Sequence, residues 1–288
     1  CTGCSVCIGA CNYGAISMKP ALAHQEVEAK NWEFATTVKN HGALFDRKTL
    51  IGSQFQQPLL EFSGACEGCS ETAYMKLATQ LYGERMVLAQ ATGCSSIWGG
   101  TWGTIPYTVN EKGHGPAWAN SLFEDDAEFG LGMARANEAA RGKLRAYVEA
   151  AVEQAEPELK VQLEKWLAAS EDAAACEAVY DAVCPLLEQA KDKFPEVYNL
   201  RHLFPKLSQW IQGGDGWAYD IGYGGLDHVI ASGANVNIMV LDTEMYSNTG
   251  GQRSKSTPKG AVAKFAAGGN RNDKKDLGLM AMAYKNVY

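Results

Sequence analysis

Residues 207–252 read LSQWIQGGDGWAYDIGYGGLDHVIASGANVNIMVLDTEMYSNTGGQ. An apolar run ends at Gly213, a helical pattern follows from about Tyr219 to Ser232, and a second apolar run spans Val236 to Leu241. Strand, helix and strand in succession predict a parallel pair in an α/β fold. The turn Gly213-Gly214-Asp215-Gly216-Trp217 offers backbone N–H groups to a phosphate, and the Asp215 carboxylate can hold a divalent metal that bridges two phosphates. Asp215 and Thr243 lie 28 positions apart, one helix plus one strand, so their loops should meet at the carboxyl edge of the sheet. Magnesium would find oxygen ligands there in Asp215, the Thr243 hydroxyl and the Met245 carbonyl. The competing reading is a nucleotide-type doubly wound fold whose turn glycines serve packing alone.

Upstream, the same alternation predicts a strand at Leu59 to Phe62, a helix from Glu71 to Leu81 and a strand from Arg85 to Ala89. Cys66 and Cys69 follow the first strand and Cys94 the second, so parallel strands would bring three thiolates to one end of the sheet. Small neighbours such as Gly64, Gly68 and Gly93 let the backbone approach an iron-sulfur cube. A 4Fe-4S cluster takes four ligands, and the fourth is expected beyond Tyr288. Residues 127–195 are rich in Ala, Glu, Leu and Lys at helical spacing, with Pro157 and Pro185 expected at helix junctions. This stretch reads as a helical insertion in which Cys176 and Cys184 are small buried hydrophobes.

Cys1, Cys4, Cys7 and Cys11 have the spacing Cys-x2-Cys-x2-Cys-x3-Cys of ferredoxin cluster ligands, whose last sulfur serves a sister cluster. Zinc prefers separated pairs and suits so tight a run poorly. Residues 1–20 are therefore expected to be the remnant of a two-cluster ferredoxin-like domain, with a short strand at Ala15 to Met18. Residues 21–54 read as a linker and 55–288 as the main α/β domain. Because the chain opens inside a motif, more polypeptide is expected before it.

The 26 Lys and Arg against 33 Asp and Glu leave a net charge of -7, which argues against a nucleic-acid partner. Neither an apolar run of roughly 20 residues nor a signal sequence is present, and a cytoplasmic protein is expected. The five histidines lack metal spacing, although His114 sits in a Gly-rich loop. Trp98 and Trp102 read as packing residues, and Lys274 and Lys275 as a solvated helix start.

The chain resembles the pyruvate:ferredoxin (flavodoxin) oxidoreductases over nearly its whole length. The resemblance rests on the Cys1 to Cys11 run, FSGACEGCSETAY from Phe62, ATGCSSIWGGTWGTIPYTVNEKGHGPAWANSLFEDDAEFG from Ala91, GGDGWAYDIGYGGLDHV from Gly213 and LDTEMYSNTGGQRSKSTPKGAVAKFAAGG from Leu241. It implies a thiamine-diphosphate-binding fold, with Gly214, Asp215, Gly216, Trp217, Thr243, Met245, Tyr246 and Asn248 around thiamine diphosphate and its magnesium, and Asn248 beside the reacting centre. Cys66, Cys69 and Cys94 would carry the nearest 4Fe-4S cluster. The implied reaction is oxidative decarboxylation of pyruvate, with coenzyme A as co-substrate and one-electron transfer through the clusters to ferredoxin or flavodoxin, in a homodimer. In the family, the activating glutamate and the arginine that binds the substrate carboxylate come from an amino-terminal domain, expected before Cys1. Asn12 replaces a usual Pro, Glu67 a small residue and Ser70 a Gly. The alternatives are an oxidoreductase for another 2-oxo acid, an electron-carrier module that only docks partners, and non-redox thiamine chemistry, which the two cysteine sets oppose.

Overall fold

The computed structural model describes residues 3–101 and 103–288. Cys1 and Trp102 therefore lie outside the described residues. In chain order the helices and strands are α1 (Val6–Ala10), α2 (Leu22–Thr37), α3 (Leu50–Gln54), α4 (Glu71–Tyr82), β1 (Met86–Gln90), α5 (Cys94–Ser96) and β2 (Ala117–Asn120). They continue with α6 (Asp126–Val152), α7 (Pro157–Ala169), α8 (Ala173–Gln189), α9 (Pro195–Asn199), β3 (Ser208–Gly214), α10 (Tyr223–Ala231), β4 (Asn237–Leu241) and α11 (Leu277–Met282).

The four strands form one parallel sheet in the order β2-β1-β3-β4. Gln90 pairs with both Asn120 and Gln212, and Gly214 with Leu241, so every strand ends at the same edge. The chain steps outward from β1 to β2 and then returns across β1 to β3. The strand order thus reverses between β1 and β3, the place where open α/β sheets form a ligand crevice. On one face, α6 and α10 bury Ile211, Trp217, Leu226 and Val229. The other face carries Met75 from α4 with Met86, Leu88 and Trp98. Close approach of α6 depends on Gly130, where a Cβ would lie 2.5 Å from Ile211 Cγ1.

The stretch from α6 to α9 has its own core of Leu144, Val148, Leu163, Trp166, Val183, Leu187 and Phe204. Pro157 opens α7, where its missing N–H costs nothing, and Asp172 caps α8 by accepting from the Ala175 N–H at 2.9 Å. Cys176 is buried, with its thiol 3.3 Å from the Ser170 carbonyl, and Cys184 is half-buried.

Several local expectations are corrected. Pro185 lies inside α8 rather than at a junction, and burial of Cys176, Val179, Val183 and Leu187 offsets the helical hydrogen bond its ring removes. The strand at Leu59 to Phe62 reduces to a single bridge between Leu60 and Tyr107, because Phe62 turns left-handed with φ 57°. Ala15 to Met18 pairs with no strand among the described residues and is irregular. Residues 21–54 hold the 16-residue helix α2 and the short α3. The helix expected from Tyr219 begins as a wide turn, in which the Gly222 N–H reaches back five residues to the Trp217 carbonyl, and resumes at Tyr223. Helix α11 starts at Leu277, capped by Asp276, so Lys274 and Lys275 precede it and bind elsewhere. Among the described residues no helix is long and apolar enough to cross a membrane.

Candidate active site

At the carboxyl edge, the loops after β1, β3 and β4 enclose a cavity of about 180 Å³. It is lined by Thr92, Gly93 and Cys94 after β1, by Gly214 at the end of β3 and Asp215, Gly216 and Trp217 after it, and by Thr243, Met245, Tyr246 and Asn248 after β4, with Glu71 and Phe123 closing the wall. The reversal of strand order brings the thiol of one loop and the carboxylate of the next into this single space.

Asp215 is 1% exposed, and both of its oxygens are held. Its Oδ1 accepts from the Thr243 N–H at 3.2 Å and lies 3.1 Å from the Thr243 hydroxyl, which is in turn 3.0 Å from the Met245 carbonyl oxygen. Ser247 Oγ stands 2.7 Å from that hydroxyl and 3.3 Å from the same carbonyl. The Met245 carbonyl can turn back because Glu244 adopts φ 62°, a left-handed conformation uncommon outside glycine. Two bonds hold that turn: the Glu244 N–H donates to Asp242 Oδ1 at 2.9 Å, and Thr257 Oγ1 donates to the Glu244 carbonyl at 2.6 Å. The backbone of Gly216 packs so closely on the Tyr246 ring that a Cβ would lie 2.5 Å from it.

Burial raises the Asp215 carboxyl above its ordinary pKa; Ser254 and Thr243 oppose this by hydrogen bonding, and the Asp242 charge adds to it. Glu71 behaves alike: burial raises it, Trp98 Nε1 opposes with a 2.8 Å hydrogen bond, and the Asp215 charge adds a little. Asp242 is held below its ordinary value, because Lys274 at 2.7 Å and Ser256 outweigh its desolvation. Lys274 thus braces the acidic loop, and Lys275 donates to the Tyr219 carbonyl at 3.0 Å.

The Cys69 N–H donates to the Cys66 carbonyl at 3.0 Å, forming a tight turn. Burial pushes the Cys94 thiol up to about 11, and the charges of Glu71, Cys66 and Cys69 contribute, so the three cysteines are electrostatic neighbours. Among the described residues no three His, Cys, Asp or Glu side chains close on a single ion. In the first segment Cys4 and Cys7 are exposed, and Cys11 is lowered chiefly by the Ala15 N–H. His114 lies outside the cavity, its ring 5.6 Å from that of Tyr180. Trp98 does pack, being 3% exposed.

Sequence reasoning passes over Glu71, Ser247, Ser254 and Ser256. Glu71 resembles any acidic residue opening a helix, and the serines lie in a polar tract whose partners are distant in sequence. Larger cavities lie elsewhere, such as one beside Arg141 and Lys206 and one along β4, and neither of these is lined by a thiol.

Fold and site together define an α/β segment with a four-stranded parallel sheet, whose switch-point crevice joins the Cys94 thiol to a set of carboxylate, hydroxyl and carbonyl oxygens. No protein-family model matches the chain. Over its whole length, however, it is homologous to a segment of about 300 residues in pyruvate:ferredoxin and pyruvate-flavodoxin oxidoreductases. It is 53% identical over 299 residues to the pyruvate:ferredoxin oxidoreductase of Moorella thermoacetica and 51% over 293 residues to the pyruvate-flavodoxin oxidoreductase of Klebsiella pneumoniae. To the mitochondrial pyruvate dehydrogenase [NADP(+)] of Euglena gracilis it is 56% identical over 293 residues. All of this chain aligns in each case, but it spans only 26%, 25% and 16% of the three relatives, respectively.

Proposed function

We propose that this chain is the part of a 2-oxo acid oxidoreductase that holds thiamine diphosphate, its magnesium ion and the adjacent 4Fe-4S cluster. In the whole protein the reaction would be oxidative decarboxylation of pyruvate to acetyl-CoA and carbon dioxide. The observation that carries this reading is the shared cavity, in which Cys94 faces the Asp215, Thr243 and Met245 oxygens across one small space.

The oxygen set fits magnesium. Ligands at about 2.0–2.1 Å in an octahedron lie about 2.9 Å apart along its edges, and here the two relevant separations are 3.1 and 3.0 Å. Thiamine diphosphate, when bound, would supply the electron sink for decarboxylation, and the cluster would supply one-electron oxidation. Asp215, Thr243 and Met245 would hold the cation, the Gly214 and Gly216 backbone would admit the diphosphate, and Trp217 and Tyr246 would wall it. Asn248, which also lines the cavity, would orient a substrate. Cys66, Cys69 and Cys94 would hold three corners of the cluster, and a fourth ligand would have to come from elsewhere. Cys1, Cys4, Cys7 and Cys11 would belong to a ferredoxin-like relay.

The relatives name different acceptors, NADP(+) in Euglena gracilis and ferredoxin or flavodoxin in the bacteria, while this segment stays alike. That pattern supports assigning pyruvate chemistry rather than acceptor choice to it. Ferredoxin or flavodoxin is the acceptor proposed for the whole protein, a cytoplasmic homodimer.

The test uses the full-length protein that contains this chain. It should reduce a viologen dye only with pyruvate and coenzyme A together, and C94S should lose iron and acid-labile sulfide while C176S keeps both. Full iron content in C94S, or dye reduction without pyruvate, would sink the reading.

A further inference from the structure

We propose that Ser254 is a positioning residue that makes Asp215 a one-oxygen ligand and so sets the preference of the site for a small octahedral cation. The inference rests on the cation-binding reading above. Ser254 is 3% exposed, and its hydroxyl donates to Asp215 Oδ2 across 39 residues of sequence. An ionised carboxylate can only accept, so the Ser254 hydroxyl is the donor, and its oxygen in turn accepts from the Ser256 N–H at 3.0 Å. The serine cannot easily turn away, since its own N–H donates to Thr257 Oγ1 at 2.9 Å and Thr257 is anchored on the Glu244 carbonyl. Ser256 Oγ grips both oxygens of Asp242, at 2.6 and 2.7 Å. The buried turn of residues 254–257 therefore clasps the loops after β3 and β4 at once.

The consequence for the carboxylate is asymmetric. Oδ1 faces the Thr243 hydroxyl, while Oδ2 is committed to a buried serine. Calcium, at 2.3–2.6 Å with six to eight ligands, commonly takes both oxygens of a carboxylate, whereas magnesium demands near-ideal octahedral geometry at 2.0–2.1 Å. To bind calcium bidentately, Asp215 would have to break the Ser254 bond inside a packed turn and leave the proton of that hydroxyl without an acceptor. Ser254 would thus disfavour the larger ion while holding Oδ1 in place for the smaller one.

The experiment titrates magnesium and calcium separately into the metal-free, full-length protein with excess thiamine diphosphate, following heat by calorimetry. Wild type should prefer magnesium. S254A should weaken magnesium by about 10- to 100-fold, as loss of a metal's supporting hydrogen bond does, with calcium changing less, so that the magnesium-to-calcium ratio falls at least tenfold. An unchanged ratio, including equal loss of both ions, would overturn the inference and leave the cation site standing. Thiamine diphosphate binding by wild type without any divalent cation would overturn both. Should S254A not accumulate as folded protein, S254C, whose thiol fills the same place but donates weakly, carries the same expectation.

Discussion

Trp98 Nε1 donates to Glu71 Oε2 at 2.8 Å, tying the segment after α5 to the first residue of α4 and fixing a buried carboxylate in the cavity wall. The bond favours the charged form of an acid that burial otherwise pushes toward neutrality. Removing it in W98F should raise the Glu71 pKa further. The proposed cation-assisted binding of thiamine diphosphate should weaken as the cavity acids take up protons, so its acid limb should move to higher pH in W98F. In E71Q the Glu71 contribution should vanish. Binding titrations across pH check both, and a W98F limb at or below the wild-type position would refute the assignment.

D215N keeps the shape of the Asp215 side chain and removes its charge, so cation affinity should fall by at least about 100-fold, more than for a supporting residue. T243V removes the hydroxyl proposed as a ligand but leaves the backbone bond to Asp215 Oδ1. Its loss should be smaller, about 10-fold or more, and confined to the cation. Calorimetry separates the two, and equal affinity in T243V and wild type would exclude the hydroxyl as a ligand.

Much of this site is legible in sequence because it is made of short loops directly after strands. Asp215 and Thr243 follow β3 and β4, and a strand–helix–strand unit leaves little freedom in where such residues meet. Cys94 follows β1 for the same reason. Glu71 and Ser254 act through contacts 27 and 39 residues away, and no local pattern marks them. Helix α2 escapes a periodicity reading because Leu22, Val27, Trp32 and Phe34 are all exposed and define no single buried face. Phe62 ends its strand through a left-handed backbone that the aromatic residue itself does not advertise.

The approach of α6 to the sheet predicts opposite outcomes at two glycines of one helix. At Gly130 a Cβ would lie 2.5 Å from Ile211 Cγ1 and 3.1 Å from Ala89 Cβ, in a region with no slack. Overpacking of about 1–3 kcal/mol exceeds the gain of up to about 1 kcal/mol from helix propensity, so G130A should destabilise. Gly142 has nothing within 4 Å of the added Cβ, so G142A should stabilise by about 0.5–1 kcal/mol. Denaturant unfolding measures both, and a stabilised G130A would contradict the observed packing.

Asp126, the first residue of α6, is fully buried, with Oδ1 accepting from Ser121 Oγ at 2.9 Å and Oδ2 without a hydrogen-bond partner. Burial pushes its pKa up to about 7; Ser121 and the Ala91 N–H oppose this, and the charges of Asp125 and Glu128 add to it. An acid raised in the folded state binds more protons folded than unfolded, so its contribution is fully present below the unfolded value near 4 and is lost as pH rises toward 7. Wild-type stability should therefore decline between about pH 4 and 7 by an amount on the order of a few kcal/mol, against whatever the other groups contribute. D126N cannot ionise and should flatten that part of the profile, so that the variant gains on wild type as pH rises. Chemical denaturation at a series of pH values checks this, and a D126N profile parallel to wild type would show that Asp126 stays charged in the folded protein.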